Sequence, residues 1–199
     1  MKKLLFPVLL FIGLAVNAQE SFFKLDMGAG GVMTLGNFKA YGLSFHLEPK
    51  WFFTETISGG FRFEGNIFFE GSIETTSEDV TYGVSSREAF LLKAEYYFIP
   101  DKVRPFVAVN TGLYSIASVN AGPSEEASLG TSIRTFGPSV WSFGFAPEAG
   151  VTFNNFRISV LFHIIPGGTT FISSTGGDIE VSNNYLVFQL GFKVFDAGK

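Results

Sequence analysis

Cysteine is absent from the 199 residues, so a disulfide, a thiolate nucleophile and a cysteine-ligated zinc site are all excluded. Charge is scarce. Asp, Glu, Lys and Arg make up 16% of the chain, against about 25% in an ordinary globular domain. The formal net charge of −4 offers no basic footprint for nucleic acid. Long apolar runs are also missing beyond Ala18, where no stretch approaches the roughly 20 residues that a membrane-spanning helix needs. What the chain has instead is phenylalanine, 25 residues, and glycine, 23. Phe suits a half-buried pleated surface, and Gly permits bends and close backbone approach. With 46% hydrophobic residues, this composition points to β-structure over helix.

The first residues read as an export leader. Met1-Lys2-Lys3 is a basic start, Leu4 to Val16 is apolar, and Val16-Asn17-Ala18 has the small-x-small form of a signal-peptidase site. Cleavage is expected after Ala18, giving a leader over 1–18 and a mature chain over 19–199 that begins at Gln19. The apolar run is too short for a membrane anchor, and no cysteine stands at the cut to make a lipoprotein. A mature chain of this kind is soluble in the periplasm, secreted, or a membrane barrel.

From residue 21 the dominant period is two, the period of a strand. Phe156, Ile158, Val160, Phe162 and Ile164 share one face, and Arg157, Ser159, Leu161 and His163 share the other. Leu186, Phe188, Leu190, Phe192 and Val194 repeat the pattern against Gln189, Gly191 and Lys193. Strands are expected near 21–33, 40–53, 57–70, 87–98, 105–116, 139–153, 155–166 and 184–195, each longer than the roughly 9–11 residues a tilted strand needs to cross a bilayer. Thr54-Glu55-Thr56, Pro100 to Arg104 and Asn154-Asn155 read as tight turns. Residues 34–39, 71–86, 117–138 and 167–183 read as loops at the other end. The predicted fold class is all-β: one eight-stranded antiparallel up-and-down transmembrane β-barrel, with short turns at one end and long loops at the other.

Alternation alone would also fit a soluble lipocalin-like barrel with its apolar face turned inward. Two observations favour apolar-out. An eight-stranded interior is only just wide enough to be filled by side chains, and most of the Phe residues, with Trp51, Trp141 and Tyr96, share the apolar face. That face also lacks charge over its central positions, as a lipid-facing surface must, since a midplane charge costs about 2–4 kcal/mol. The interior is then expected to hold Lys24, Asp26, His46, Glu48, Lys50, Arg62, Glu64, Lys93, Glu95, Glu148, Arg157, His163 and Lys193, interleaved with small residues. Buried ions must be paired, so Arg62, Glu64, Lys93, Glu95, Glu148, Arg157, His163 and Lys193 are expected to form a polar, salt-bridged network that plugs the lumen. Phe22, Trp51, Phe52, Phe53, Phe98, Phe153 and Phe156 at one end, and Tyr41, Phe69 and Trp141 at the other, read as interfacial girdles.

Three stretches carry a resemblance. Val103-Arg104-Pro105-Phe106-Val107-Ala108-Val109-Asn110-Thr111-Gly112 looks like a fifth-strand signature, and Phe145 to Val151 followed by Phe156-Arg157-Ile158-Ser159 looks like the next two strands, of the outer-membrane protein A-like β-barrel superfamily. The closing Gln189 to Phe195 resembles the C-terminal assembly signal of such barrels, but Asp196-Ala197-Gly198-Lys199 follows the aromatic. The chain is thus similar to small outer-membrane barrels, of a Bacteroidetes-like type. The resemblance implies the cell outer membrane of a Gram-negative cell, contact with outer-membrane lipid, handling by the barrel-assembly machinery, and a monomer. Members of this superfamily are structural, adhesive, weakly pore-forming or, rarely, enzymatic.

Residues that invite other chemistry have plainer readings. Ser159 and His163 share a strand face, but both point inward, away from lipid, so a lipid hydrolase is not expected. Glu70, Glu74, Glu78 and Asp79 could hold Ca²⁺, and read more simply as a solvated acidic loop, as does Pro123-Ser124-Glu125-Glu126. Gly28-Ala29-Gly30-Gly31 is no phosphate loop, because no helix follows it. The expectation is a barrel with a structural or surface-interaction role, no catalytic residues, no cofactor and no resident metal, whose long loops contact an extracellular ligand. A small or gated pore, a barrel-embedded lipid-modifying enzyme and a soluble lipid carrier are the alternatives.

Overall fold

The computed structural model describes residues 22–35, 40–72, 81–121, 134–136, 139–172 and 178–197. The leader with its cleavage site, the loop positions 36–39, the acidic positions Glu74, Glu78 and Asp79, and Pro123 to Glu126 lie outside the described residues. Eleven strands follow in chain order: β1 (Phe22–Thr34), β2 (Tyr41–Phe52), β3 (Ile57–Ser72), β4 (Thr81–Tyr97), β5 (Val103–Ala121), β6 (Arg134–Phe136), β7 (Val140–Phe153), β8 (Phe156–His163), β9 (Gly168–Ile172), β10 (Asp178–Ser182) and β11 (Tyr185–Ala197).

Eight of them close a ring. The order β4-β3-β2-β1-β11-β8-β7-β5 is completed by pairing of β4 with β5, and every described ladder is antiparallel. Each strand therefore lies beside its neighbour in the chain, and the last pairs with the first, so no barrel edge is left open. The expected eight-stranded up-and-down barrel is the observed one. Asn154 takes φ 54° in the tight turn between β7 and β8, a left-handed conformation that Asn tolerates better than most residues.

The strand bounds differ from the sequence-based expectation at the long-loop end. Residues expected to be loop continue as ladder: β3 and β4 stay paired to Ser72 with Thr81, β5 runs on to pair with β6, and β9 and β10 form a separate hairpin. These stretches are rich in Ser, Thr and Gly, whose weak period-two pattern hides a strand that has no lipid on one side. In the other direction β8 spans only 8 residues, shorter than expected, with a single further bridge between Phe145 and Ile164.

Period two sorts the side chains to opposite faces. Phe45, Phe63, Phe90, Phe143, Phe188 and Leu190 all point outward and are exposed, Phe143 at 63% and Leu190 at 64%. An apolar belt of this extent is far larger than the few hundred Å² a soluble monomer leaves open. One outward charge interrupts it. Glu88 is exposed on β4, outside the central positions expected to lack charge. It is the cross-strand partner of Ser115, which in turn faces Trp141, so Glu88 stands at the level of the long-loop aromatics and not at the middle of the belt.

The interior also departs from expectation. Phe52, expected in the girdle, is buried with 5% exposure and stacks on Tyr97 at 5.6 Å. In the run Trp51-Phe52-Phe53 the pleat sends the outer two rings out and the middle one in. Phe68, Phe106, Tyr114 and Tyr185 are buried as well. Glycine makes the room. A Cβ at Gly150 would come within 2.7 Å of the Phe106 ring, and one at Gly144 within 2.9 Å of the Tyr114 ring.

Candidate functional site

The middle of the lumen holds the main concentration of buried charge. β2 supplies Glu48 and Lys50, β3 Arg62 and Glu64, β4 Lys93 and Glu95, β7 Glu148 and β8 Arg157, all buried. They come from neighbouring strands at inward positions of the pleat, and the narrow barrel forces them together. Each would be costly to bury alone.

Glu48 is the hub. Its Oε2 lies 2.9 Å from Arg62 Nη1 and 2.8 Å from Lys93 Nζ, and its Oε1 lies 3.2 Å from Lys50 Nζ and 3.6 Å from Arg157 Nη1. Lys93 bridges three carboxylates, at 2.8 Å to Glu48, 2.9 Å to Glu95 and 2.7 Å to Glu148. Arg157 Nη2 lies 2.5 Å from Glu95 and 2.7 Å from Glu148. Lys50 Nζ adds Asp26 at 2.5 Å and Glu95 at 3.2 Å. Glu95 also accepts hydrogen bonds from Ser58 Oγ at 2.9 Å and Tyr97 OH at 2.8 Å. These links join every charge of the group into one connected network.

A second layer sits toward the long loops. Arg62 reaches Glu64 at 2.8 Å and donates to Gln189. Asn66 Nδ2 donates to Glu64 at 3.0 Å. His163 Nε2 lies 3.2 Å from Glu64, while Tyr114 OH is 3.0 Å from His163 Nδ1. Tyr114 OH and His163 Nδ1 share a hydrogen bond whose direction is set by the imidazole tautomer. The imidazole stacks on Tyr185 at 4.2 Å with 7° between the planes. Above it, Arg87 lies over the Phe68 ring at 4.6 Å, and an apolar layer of Phe68, Val32, Ala40 and Ile165 covers the column.

Seven of the eight expected network residues meet in this way: Arg62, Glu64, Lys93, Glu95, Glu148, Arg157 and His163. Lys193 stands apart. It lies at the short-turn mouth, half-buried, with Asp196 at 2.6 Å. β11 reaches the rim there, so its side chain meets the chain's own end before it reaches the cluster. The expected set also left out Glu48, which has more cationic partners than any other carboxylate in the cluster. Its signal was present in the alternation of Glu48-Pro49-Lys50 with outward Leu47 and Trp51.

The Ser159 and His163 pair, weighed as a hydrolase, is buried inside the lumen, and the imidazole is engaged by Tyr114 and Tyr185. Among the described residues no group of three or more His, Asp or Glu is placed to hold a metal ion.

No protein-family model matches the chain, and no curated protein matches it. Solved structures do. Neisserial surface protein A has a TM-score of 0.53 at 15% identity, covering 87% of this chain and 96% of the other. The fold is that of a small outer-membrane barrel. Ail, the attachment invasion locus protein of Yersinia pestis, solved with the heparin analogue sucrose octasulfate, matches at 15% identity with a TM-score of 0.47, covering 88% of this chain and 99% of the other.

Proposed function

We propose that this chain is an integral outer-membrane barrel with a structural or surface-interaction role, exported by the leader over 1–18, its lumen plugged by the ionic cluster. The observation that carries this reading is the inversion of ordinary burial. Phe143 and Leu190 are open on the outside while Arg62 and Glu48 are fully buried inside. Water would not favour that arrangement, and lipid would. The ladders that continue past the barrel at the long-loop end support a surface role, because β3–β4 and the β9–β10 hairpin carry chain beyond the apolar belt, where an extracellular ligand would meet it. The cluster and the apolar layer above it fill the column from side to side, which supports a lumen that passes little current.

Fractionation tests the location. The protein should sediment with the outer membrane, need detergent for extraction, and change its gel mobility on heating. Recovery from the periplasm without detergent would overturn the reading.

A substitution tests the orientation. Val160 points outward from β8, and Val160→Arg should lower stability in lipid vesicles by about 2–4 kcal/mol. Glu55→Arg, in the exposed turn between β2 and β3, should stay within about 0.5 kcal/mol. Equal refolding yields for the two would show that the apolar face does not meet lipid.

A further inference from the structure

At the short-turn end the lumen opens into a bowl of about 200 Å³ beside the ionic cluster. Six cationic side chains line it, against two acidic ones, Asp26 and Asp101. Lys50 and Arg157 form its floor and are spent on the carboxylates below. The four nearer the rim are not spent in the same way. Lys24 lies over the Phe52 ring at 4.4 Å, and Arg104 lies over Tyr97 at 4.2 Å and Phe52 at 5.5 Å. Arg104 donates once, to the Glu55 carbonyl. Neither Arg104 nor Lys102 has a carboxylate partner among the described residues. Lys24 and Lys193 share a single acid, Asp196, at 3.8 and 2.6 Å.

This is unlike the cluster beneath it. There every cation meets at least two carboxylates. At the rim, the Phe52 and Tyr97 rings hold Lys24 and Arg104 in place. Arg104 and Lys102 thus line the bowl with no carboxylate partner among the described residues, beside Lys24, whose acid, Asp196, lies 3.8 Å away and is shared with Lys193. With Asp101 and Asp196 counted, the four rim cations leave a local excess of two positive charges, the charge that one phosphate group carries near neutral pH.

We propose that this vestibule binds a phosphate group, with Arg104, Lys24 and Lys102 as its donors. Arginine and lysine together suit the task, the first as a planar fork and the second as a point charge. The phosphate could belong to a lipid headgroup at the rim or to a soluble phosphoester, and the two sources give different results below. The site does not depend on whether the lumen conducts or where the barrel resides, so its failure would leave the proposed function standing.

The test is calorimetric titration of inorganic pyrophosphate into the full-length barrel, refolded in a non-ionic maltoside at low salt, where charge is least screened. Wild type should show one saturable site. Lys102→Gln and Arg104→Gln should each weaken it about tenfold, the loss of one charge-assisted contact. Lys102 is exposed in a turn, so its variant folds, and heat-modifiability confirms folding for both. A lipid source predicts weaker pyrophosphate binding in phospholipid nanodiscs than in the phosphate-free maltoside, through competition. A soluble source predicts equal binding in the two. Absence of saturable binding to wild type, or wild-type affinity in both variants, would overturn the site and leave the rim cations as counter-charges to the acidic cluster below.

Discussion

Arg157→Ala should destabilise the folded barrel by about 3–5 kcal/mol, less if water reaches the vacated space. The guanidinium is the cation that closes the cluster on the β7–β8 side. Its Nη2 touches both Glu95 and Glu148, and its carbon lies 3.8 Å above the Phe106 ring. Alanine removes the charge, the fork and the stack together. Lys93 remains near both carboxylates at 2.9 and 2.7 Å, but it already serves Glu48. Glu95 would keep Lys50 at 3.2 Å, but Glu148 would be left with a share of Lys93 alone, and the penalty is that of the undercompensated acid rather than the worth of a single bridge. Arg157→Lys should fall between wild type and alanine, since it keeps the charge without the two-pronged geometry. Urea unfolding in vesicles measures the stability, and planar-bilayer recordings on the same preparation measure the leak. Wild type should pass little current, and Arg157→Ala should pass more. A large steady current in wild type, with neither quantity altered by the substitution, would replace the plug by an open pore.

The legible part of this molecule was the part that lipid disciplines. Where one strand face meets a belt of Phe and Leu, as along Phe156 to Ile164 and Leu186 to Val194, the alternation fixes register, and a slip by one residue would turn Arg157 or Gln189 outward. That constraint is why the inward placement of Arg62, Glu64, Lys93, Glu95, Glu148 and Arg157 could be read without coordinates. Past the aromatic girdle the constraint ends. Ser85, Ser86, Ala117 and Ser118 pair in a ladder although nothing in their alternation announces a strand. Backbone pairing needs no apolar face once both sides meet water or the lumen.

The rest of the site depends on three-dimensional facts that a period of two does not encode. Alternation says that Phe68, Phe106 and Tyr185 point inward, but not that the barrel has room for them. The room comes from glycines on neighbouring strands, Gly150 beneath Phe106 and Gly144 beneath Tyr114. Pairing within the cluster is likewise set by the stagger of the strands. Glu48 and Glu148 belong to strands on different arcs of the barrel, yet Lys93 reaches both. Lys193 shows the converse: it has the right parity along its strand and the wrong height along the axis.

Glu48→Ala should be the most damaging single loss in the lumen, at about 3–5 kcal/mol or more. The comparison with Glu64→Ala explains why. Glu64 has one permanent cation, Arg62, at 2.8 Å, and its hydrogen-bond donors Asn66 and Gln189 are neutral amides. Glu48 instead lies within 4 Å of Lys50, Arg62, Lys93 and Arg157. Its removal leaves four cations facing a shared void, each held only by acids on the far side and repelling the others across it. The cost should therefore exceed that of Glu64→Ala measured in the same vesicles. It should also be coupled. Lys93→Ala alone takes one of two cations from Glu148 and one of three from Glu95, but in the Glu48→Ala background it removes a cation that has lost a partner. The double variant should then be more stable than the sum of the two single losses, by more than the roughly 0.3–0.5 kcal/mol expected between independent sites. Additivity within that margin, or a Glu48→Ala cost no greater than that of Glu64→Ala, would show that the charges around Glu48 act as separate pairs, and that the lumen is not held shut by one connected group.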